Sequence, residues 1–117
     1  MSLLFVNRSA VLLRPKQPYL DWCKLDDETG IAATVFEGMR DDPSVYLIPD
    51  FEDDREQRLV LNEFWPMLFE SMLEGWLREP SMWPQDRTYK MFTEWFEVEQ
   101  HSVIKDLMDD EEIEVLG

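Results

Sequence analysis

The stretch DDREQRLVLNEFWPMLFESMLEGWL, residues 53–77, most narrows what this chain can fold into. Leu61, Trp65, Leu68, Met72 and Trp76 follow one another at spacings of four, three, four and four, the period of an apolar stripe along an α-helix. Asp53 with Glu56 three residues on has the form of a capping box, Asp standing in for the usual Ser or Thr. Glu56, Glu63, Glu70, Glu74 and Arg78 make the wet side. Pro66 removes the bond its N–H would give to the carbonyl of Asn62, so the helix is expected to kink or restart there. Met67, Phe69, Leu73 and Leu77 fall outside the narrow stripe. That surplus requires a second packed layer or a partner, and Phe64, Trp65, Phe69, Leu73 and Trp76 are the candidate interface residues.

Around this helix the chain reads as short elements. RSAVLLRP, residues 8–15, is apolar and closed by Pro15, as a strand would be. Pro18 opens PYLDWCKL as a short helix burying Tyr19, Trp22 and Cys23. A loop at residues 26–30 precedes TVFEGMRDD, one or two helical turns weakened by Gly38 and stopped before Pro43. SVYLIPD, residues 44–50, has the β-branched and aromatic content of a strand and ends on Pro49. Asp86 is placed to cap a helix through about Glu94. From Trp95 the helical period fails, because it would bury Glu99 and Ser102, whereas alternation places Phe96, Val98 and Ile104 on one face of a strand over residues 96–107. The order predicts an α+β fold: a small mixed sheet of about three strands covered by helices, one of them long and kinked. Residues 1–108 form one compact domain, and 109–117, DDEEIEVLG, an acidic tail frayed by like-charge repulsion.

A chain of 117 residues buries roughly two thirds of its unfolded surface, and its five Trp, seven Phe and three Tyr supply a core without a disulfide or metal. The lone Cys23 can make no internal disulfide. The N-terminus has no basic segment ahead of its apolar residues, and no run approaches the ~20 apolar residues of a membrane helix. A cytoplasmic, soluble protein is expected.

Net charge is −15, unevenly spread. Residues 1–25 hold four bases against one acid, whereas residues 91–117 hold nine acids and one base, Lys105. Such a surface repels nucleic acid and anionic membrane unless one small basic patch prevails, so direct binding of either is not expected. Arg8, Arg14 and Lys16 cluster near the start and form a candidate anion site, internal pairing with carboxylates being the competing reading.

The only histidine lies among carboxylates in EWFEVEQHSVIKD, residues 94–106. On a strand Glu97, Glu99 and His101 share a face with ~6.6 Å between neighbours. Two carboxylates and an imidazole suit iron, manganese or zinc, but a solvated antiparallel face produces the same string by alternation, and we read the face as wet. A Cys23–His101 nucleophilic pair is formally available, although Cys23 reads as a buried thiol. Gly-rich phosphate loops, nucleophile elbows, paired-Cys motifs and zincin helices are absent from the sequence, and no cofactor is expected.

NRSAVLLRPKQPYLDW, residues 7–22, together with WPQDRTYKMFTEWF, residues 83–96, resembles a family of short acidic bacterial proteins known only as uncharacterised. The resemblance extends over nearly the whole length, residues 26–42 and 109–117 excepted, and implies a bacterial cytoplasmic protein with no activity to carry over. The expected function is a non-enzymatic interaction module binding another, basic protein, or a second copy of itself. The alternatives are a metal-assisted enzyme built on Glu97, Glu99 and His101, and a nucleic-acid mimic that occupies a basic protein.

Overall fold

A computed structural model describes residues 4–108 and 110–117. Strand β1 (Leu4–Phe5) leads into β2 (Arg8–Pro15), followed by helices α1 (Gln17–Lys24) and α2 (Ala32–Asp41). Strand β3 (Val45–Pro49) and helix α3 (Asp54–Glu74) come next. A 3-10 turn at Pro80–Met82, helix α4 (Tyr89–Trp95) and strands β4 (Phe96–His101) and β5 (Lys105–Asp106) complete the fold. The α+β class stands, with a three-stranded sheet in the order β3-β2-β4 and a separate β1–β5 pair.

The three-stranded sheet is antiparallel throughout rather than mixed. Between β2 and β3 the chain passes through α1 and α2 and returns to the end of β2 it left, Val45 pairing with Leu12. A long connection permits a parallel neighbour; two consecutive helices undo that option by bringing the chain back. The strand expected over 96–107 also stops earlier, at His101, and Lys105–Asp106 pairs instead with Leu4–Phe5.

Alternation divides the sheet into two faces. Ser9, Val11, Leu13 and Pro15 of β2 are buried, and their partners Ile48 and Phe96 join them under the helices. Arg14, Glu97, Glu99 and His101 share the opposite face with Ala10, Leu12, Val45 and Leu47. Ser9, among the described residues the one buried polar side chain, donates from Oγ to the Ser102 carbonyl at 3.0 Å and accepts from the Phe51 N–H at 3.2 Å. One hydroxyl thus satisfies backbone groups on segments that leave the sheet at both edges.

Helix α3 begins where the capping signal put it. The Asp53 carboxylate accepts from the Glu56 N–H at 2.8 Å, while the Glu56 carboxylate accepts from Glu52, one residue before the cap. The helix then runs through Pro66 without a restart. Pro66 and Asn62 are both exposed, so water can take the bond that the missing N–H leaves open at the Asn62 carbonyl. At the far end the buried Tyr19 hydroxyl donates to the Met72 carbonyl at 2.7 Å, supplying one of the terminal carbonyls that no helical N–H reaches. Helix α4 is capped by Thr88, whose hydroxyl accepts from Met91 at 3.1 Å, and not by Asp86. Thr88 lies immediately before the first helical residue; Asp86 is two residues too early. Residues 110–117 are exposed and carry no helix or strand; Asp109 of the expected acidic tail lies outside the described residues. Among the described residues no helix is long and apolar enough to cross a membrane.

Candidate functional site

The outer sheet face brings Glu97, Glu99 and His101 to one side, as alternation requires. What alternation could not reveal is the cations set between them. Arg14, opposite Glu97 in register, reaches diagonally to Glu99 at 2.9 Å, and Arg40 of α2 lies 3.6 Å from Glu97. His101 Nε2 sits 2.6 Å from the other Glu99 oxygen. Both carboxylates of the triad are thereby engaged by guanidinium groups, and among the described residues no three His, Cys, Asp or Glu side chains converge as a metal set. The face is an ion-paired row.

The hydrogen bond from His101, and then that from Arg14, hold the Glu99 carboxyl below the usual glutamate range. A depressed carboxylate contributes stability that is present above its unfolded value, about 4.3, and is lost as pH falls through the lower folded value. NMR titration is expected to show Glu99 remaining ionised after exposed glutamates have protonated. Arg14→Gln should move its midpoint back toward the ordinary value, and an unmoved midpoint would contradict the row as described.

The candidate cation cluster disperses. Arg8 and Arg14 lie six residues apart on β2, about 20 Å along an extended strand. Arg8 donates to the Asn7 carbonyl, Arg14 to Glu99, and Lys16 to the Thr93 carbonyl in the last turn of α4. Lys16 therefore complements a helix C-terminus. No common anion site results. Cys23 and His101 do not meet either: the thiol is in the core, pushed up to about 12 chiefly by burial, whereas the imidazole is exposed on the outer sheet face. A neutral thiol at that position is a packing group rather than a nucleophile.

The candidate interface of α3 is largely internal. Phe69 and Leu73 are fully buried, and Phe64, Trp65 and Trp76 are half-buried against the core. The second layer that covers them includes α4, where Phe92 lies 6.3 Å from the Trp65 ring and 6.0 Å from that of Phe69. Phe69 and Leu73 looked surplus because a one-stripe model assigns a helix a single neighbour, whereas α3 has a sheet on one side and α4 on another.

Beside β3 an apolar surface stays open. Between β3 and the solvent-side shoulder of α3 lies a hollow of about 250 Å³, lined by Tyr46, Leu47, Ile48, Phe64, Met67 and Leu68. Met67 is 65% exposed, Val45 60% and Leu47 55%. The Tyr46 hydroxyl and Ser71 Oγ, 3.0 Å apart, bridge the hollow at one end, and beyond them a smaller one of about 120 Å³ continues beside Met39, Asp42 and Ser44. The sequence carried a signal for this site that reading α3 alone missed. VYLIP is apolar on both of its alternating faces yet ends in a proline suited to a sheet edge.

A different hollow, of about 340 Å³, lies beside Arg55, Arg58 and Tyr89. Asp53, Asp54 and Glu56 flank those arginines in sequence, so the local charge stays negative and an anion gains little there.

No family model, no curated protein and no solved structure matches this chain.

Proposed function

We propose that this chain is a non-enzymatic interaction module whose acidic surface engages a basic protein. The observation that carries the reading is the coincidence of an open apolar hollow with carboxylates left free around it. Ion pairs among the described residues use Glu70, Glu94, Glu97 and Glu99, with His101 sharing Glu99. Asp41, Asp42 and Asp50, which bracket β3, and Glu63 and Glu74, which flank Met67 on α3, are exposed and appear in none of these pairs. A negative field around an apolar patch accelerates encounter with a positive partner and leaves the patch to hold it.

Capture of a basic protein by the immobilised chain, with salt raised stepwise, tests the reading. The Debye length shrinks from ~10 Å at 0.1 M to ~3 Å at 1 M, so bound protein is expected at low salt and release as salt rises. No basic protein retained at low salt would overturn the proposal. Competition by DNA or RNA for the same captured protein would mark the partner's basic surface as a nucleic-acid site, and the chain as its mimic.

A further inference from the structure

Resting on the reading of the chain as an acidic interaction module, we propose that the partner contributes a short extended segment, apolar at its centre and basic at its ends. This segment pairs with the free edge of β3 and seats an apolar side chain in the hollow against α3.

The edge supplies the first argument. β3 is bonded to β2 on one side, and among the described residues no strand lies on the other. Its outward N–H and C=O groups are a template for another strand, a liability that proteins usually blunt with charged side chains, bulges or a covering element. β3 has no charged residue; Pro49 alone is of the blunting kind, and it guards only the last position. Five residues of strand span about 17 Å, so an added segment of five residues matches the edge and a slightly longer one overhangs its ends.

The hollow supplies the second. At about 250 Å³ it falls below the ~300–1,000 Å³ of small-molecule sites and suits one or two aliphatic side chains. Its walls are the ring of Phe64, the thioether chain of Met67 and the core-side residues of β3. Side chains of an added strand alternate between the two sheet faces, so one set lands on Phe64 and Met67 while the other lies beside the exposed Val45 and Leu47.

Charge chooses the occupant. Asp41 and Asp42 precede β3, Asp50 follows it, and Glu63 and Glu74 sit four residues before and seven after Met67, on the same side of α3. Basic residues at both ends of an incoming segment meet carboxylates there. The same carboxylates oppose the chain's own acidic residues 110–117, and a net charge of −15 opposes pairing of β3 with β3 of a second copy.

The test uses the whole chain and a capped heptapeptide with two lysines at each end and a Val-Thr-Val centre. A second peptide is N-methylated at the three central residues, which keeps its charge and removes its strand hydrogen bonds. In NMR titration at low salt, the parent peptide is expected to shift the amides of Val45–Ile48, and N-methylation to weaken binding by about tenfold or more. Met67→Lys, at an exposed position that leaves the core intact, should weaken the parent peptide by a similar factor of about ten. Leu25→Lys, at the 84%-exposed C-cap of α1, should stay within about twofold. Equal affinity for parent and N-methylated peptides would overturn strand addition and leave the electrostatic reading standing on its capture experiment. Binding of neither peptide would also overturn strand addition, whatever the capture shows. A dimer in sedimentation that Met67→Lys dissociates would reassign the edge to a second copy and overturn the basic segment as occupant.

Discussion

Replacing Phe69 by Ala is expected to cost about 3–5 kcal/mol, the range for deleting a buried aromatic side chain. No other side chain of α3 has so many aromatic neighbours. Its fully buried ring lies 5.3 Å from that of Phe96, edge to face, 5.5 Å from Trp95 and 6.0 Å from Phe92. The Arg87 guanidinium sits 5.9 Å from its centroid, and Arg87 in turn bonds Glu70 and the Pro84 carbonyl. Removing the ring opens a cavity where α3, α4 and β4 meet and withdraws the surface on which Arg87 rests. Domains of this kind are stable by ~5–15 kcal/mol, so the variant should unfold at much lower urea or be unfolded outright. Met67→Ala on the same helix, at an exposed position, should change stability by less than about 0.5 kcal/mol. Urea denaturation followed by tryptophan fluorescence separates the two, and similar midpoints for both variants would contradict this description of the core.

Alkali is expected to destabilise the fold through two groups that resist ionisation. Burial is the leading cause for both: it holds the Tyr19 phenol far above its ordinary value and pushes the Cys23 thiol up to about 12. Once pH passes a group's unfolded value, the unfolded chain sheds a proton that the folded chain keeps. Stability then falls by ~1.4 kcal/mol per pH unit for each such group, until pH reaches the folded value. The window opens near the ordinary thiol value and steepens past that of tyrosine, so between about pH 9 and about pH 11 the loss is on the order of 4 kcal/mol. Tyr19→Phe removes the hydrogen bond to Met72 and should lower stability at neutral pH by about 1 kcal/mol. It should nevertheless flatten the alkaline slope, as should Cys23→Ala. A slope unchanged in the double variant would show that other groups drive alkaline unfolding.

The strand Arg8–Pro15, the helix beginning after Asp53 and the change from helix to strand at Phe96 were legible because each is signalled by residues adjacent in the chain. A proline, a capping pair or a failed period suffices for such features. Sheet direction was not legible, since it depends on how α1 and α2 return the chain. The fate of Glu97 and Glu99 was only half legible: alternation placed them on one face, but their pairing with Arg40 and Arg14 joins residues more than fifty positions apart. Phe69 was read as surplus because the rings that cover it, Phe92 and Trp95, belong to the following helix α4, which the period of α3 alone does not reveal. The hollow beside β3 was half legible: VYLIP is apolar on both faces and ends in a proline suited to an edge, but what leaves that edge open beside α3 is set by how the rest of the chain folds.

Contacts between the lysine-flanked peptide and the protein, measured as intermolecular nuclear Overhauser effects, test the account most directly. Strand addition predicts backbone contacts from the peptide's centre to Val45–Ile48, with a valine methyl against Phe64 and Met67. A peptide that touches only scattered carboxylates, or lies on the Arg14–Glu99–His101 face, would contradict it.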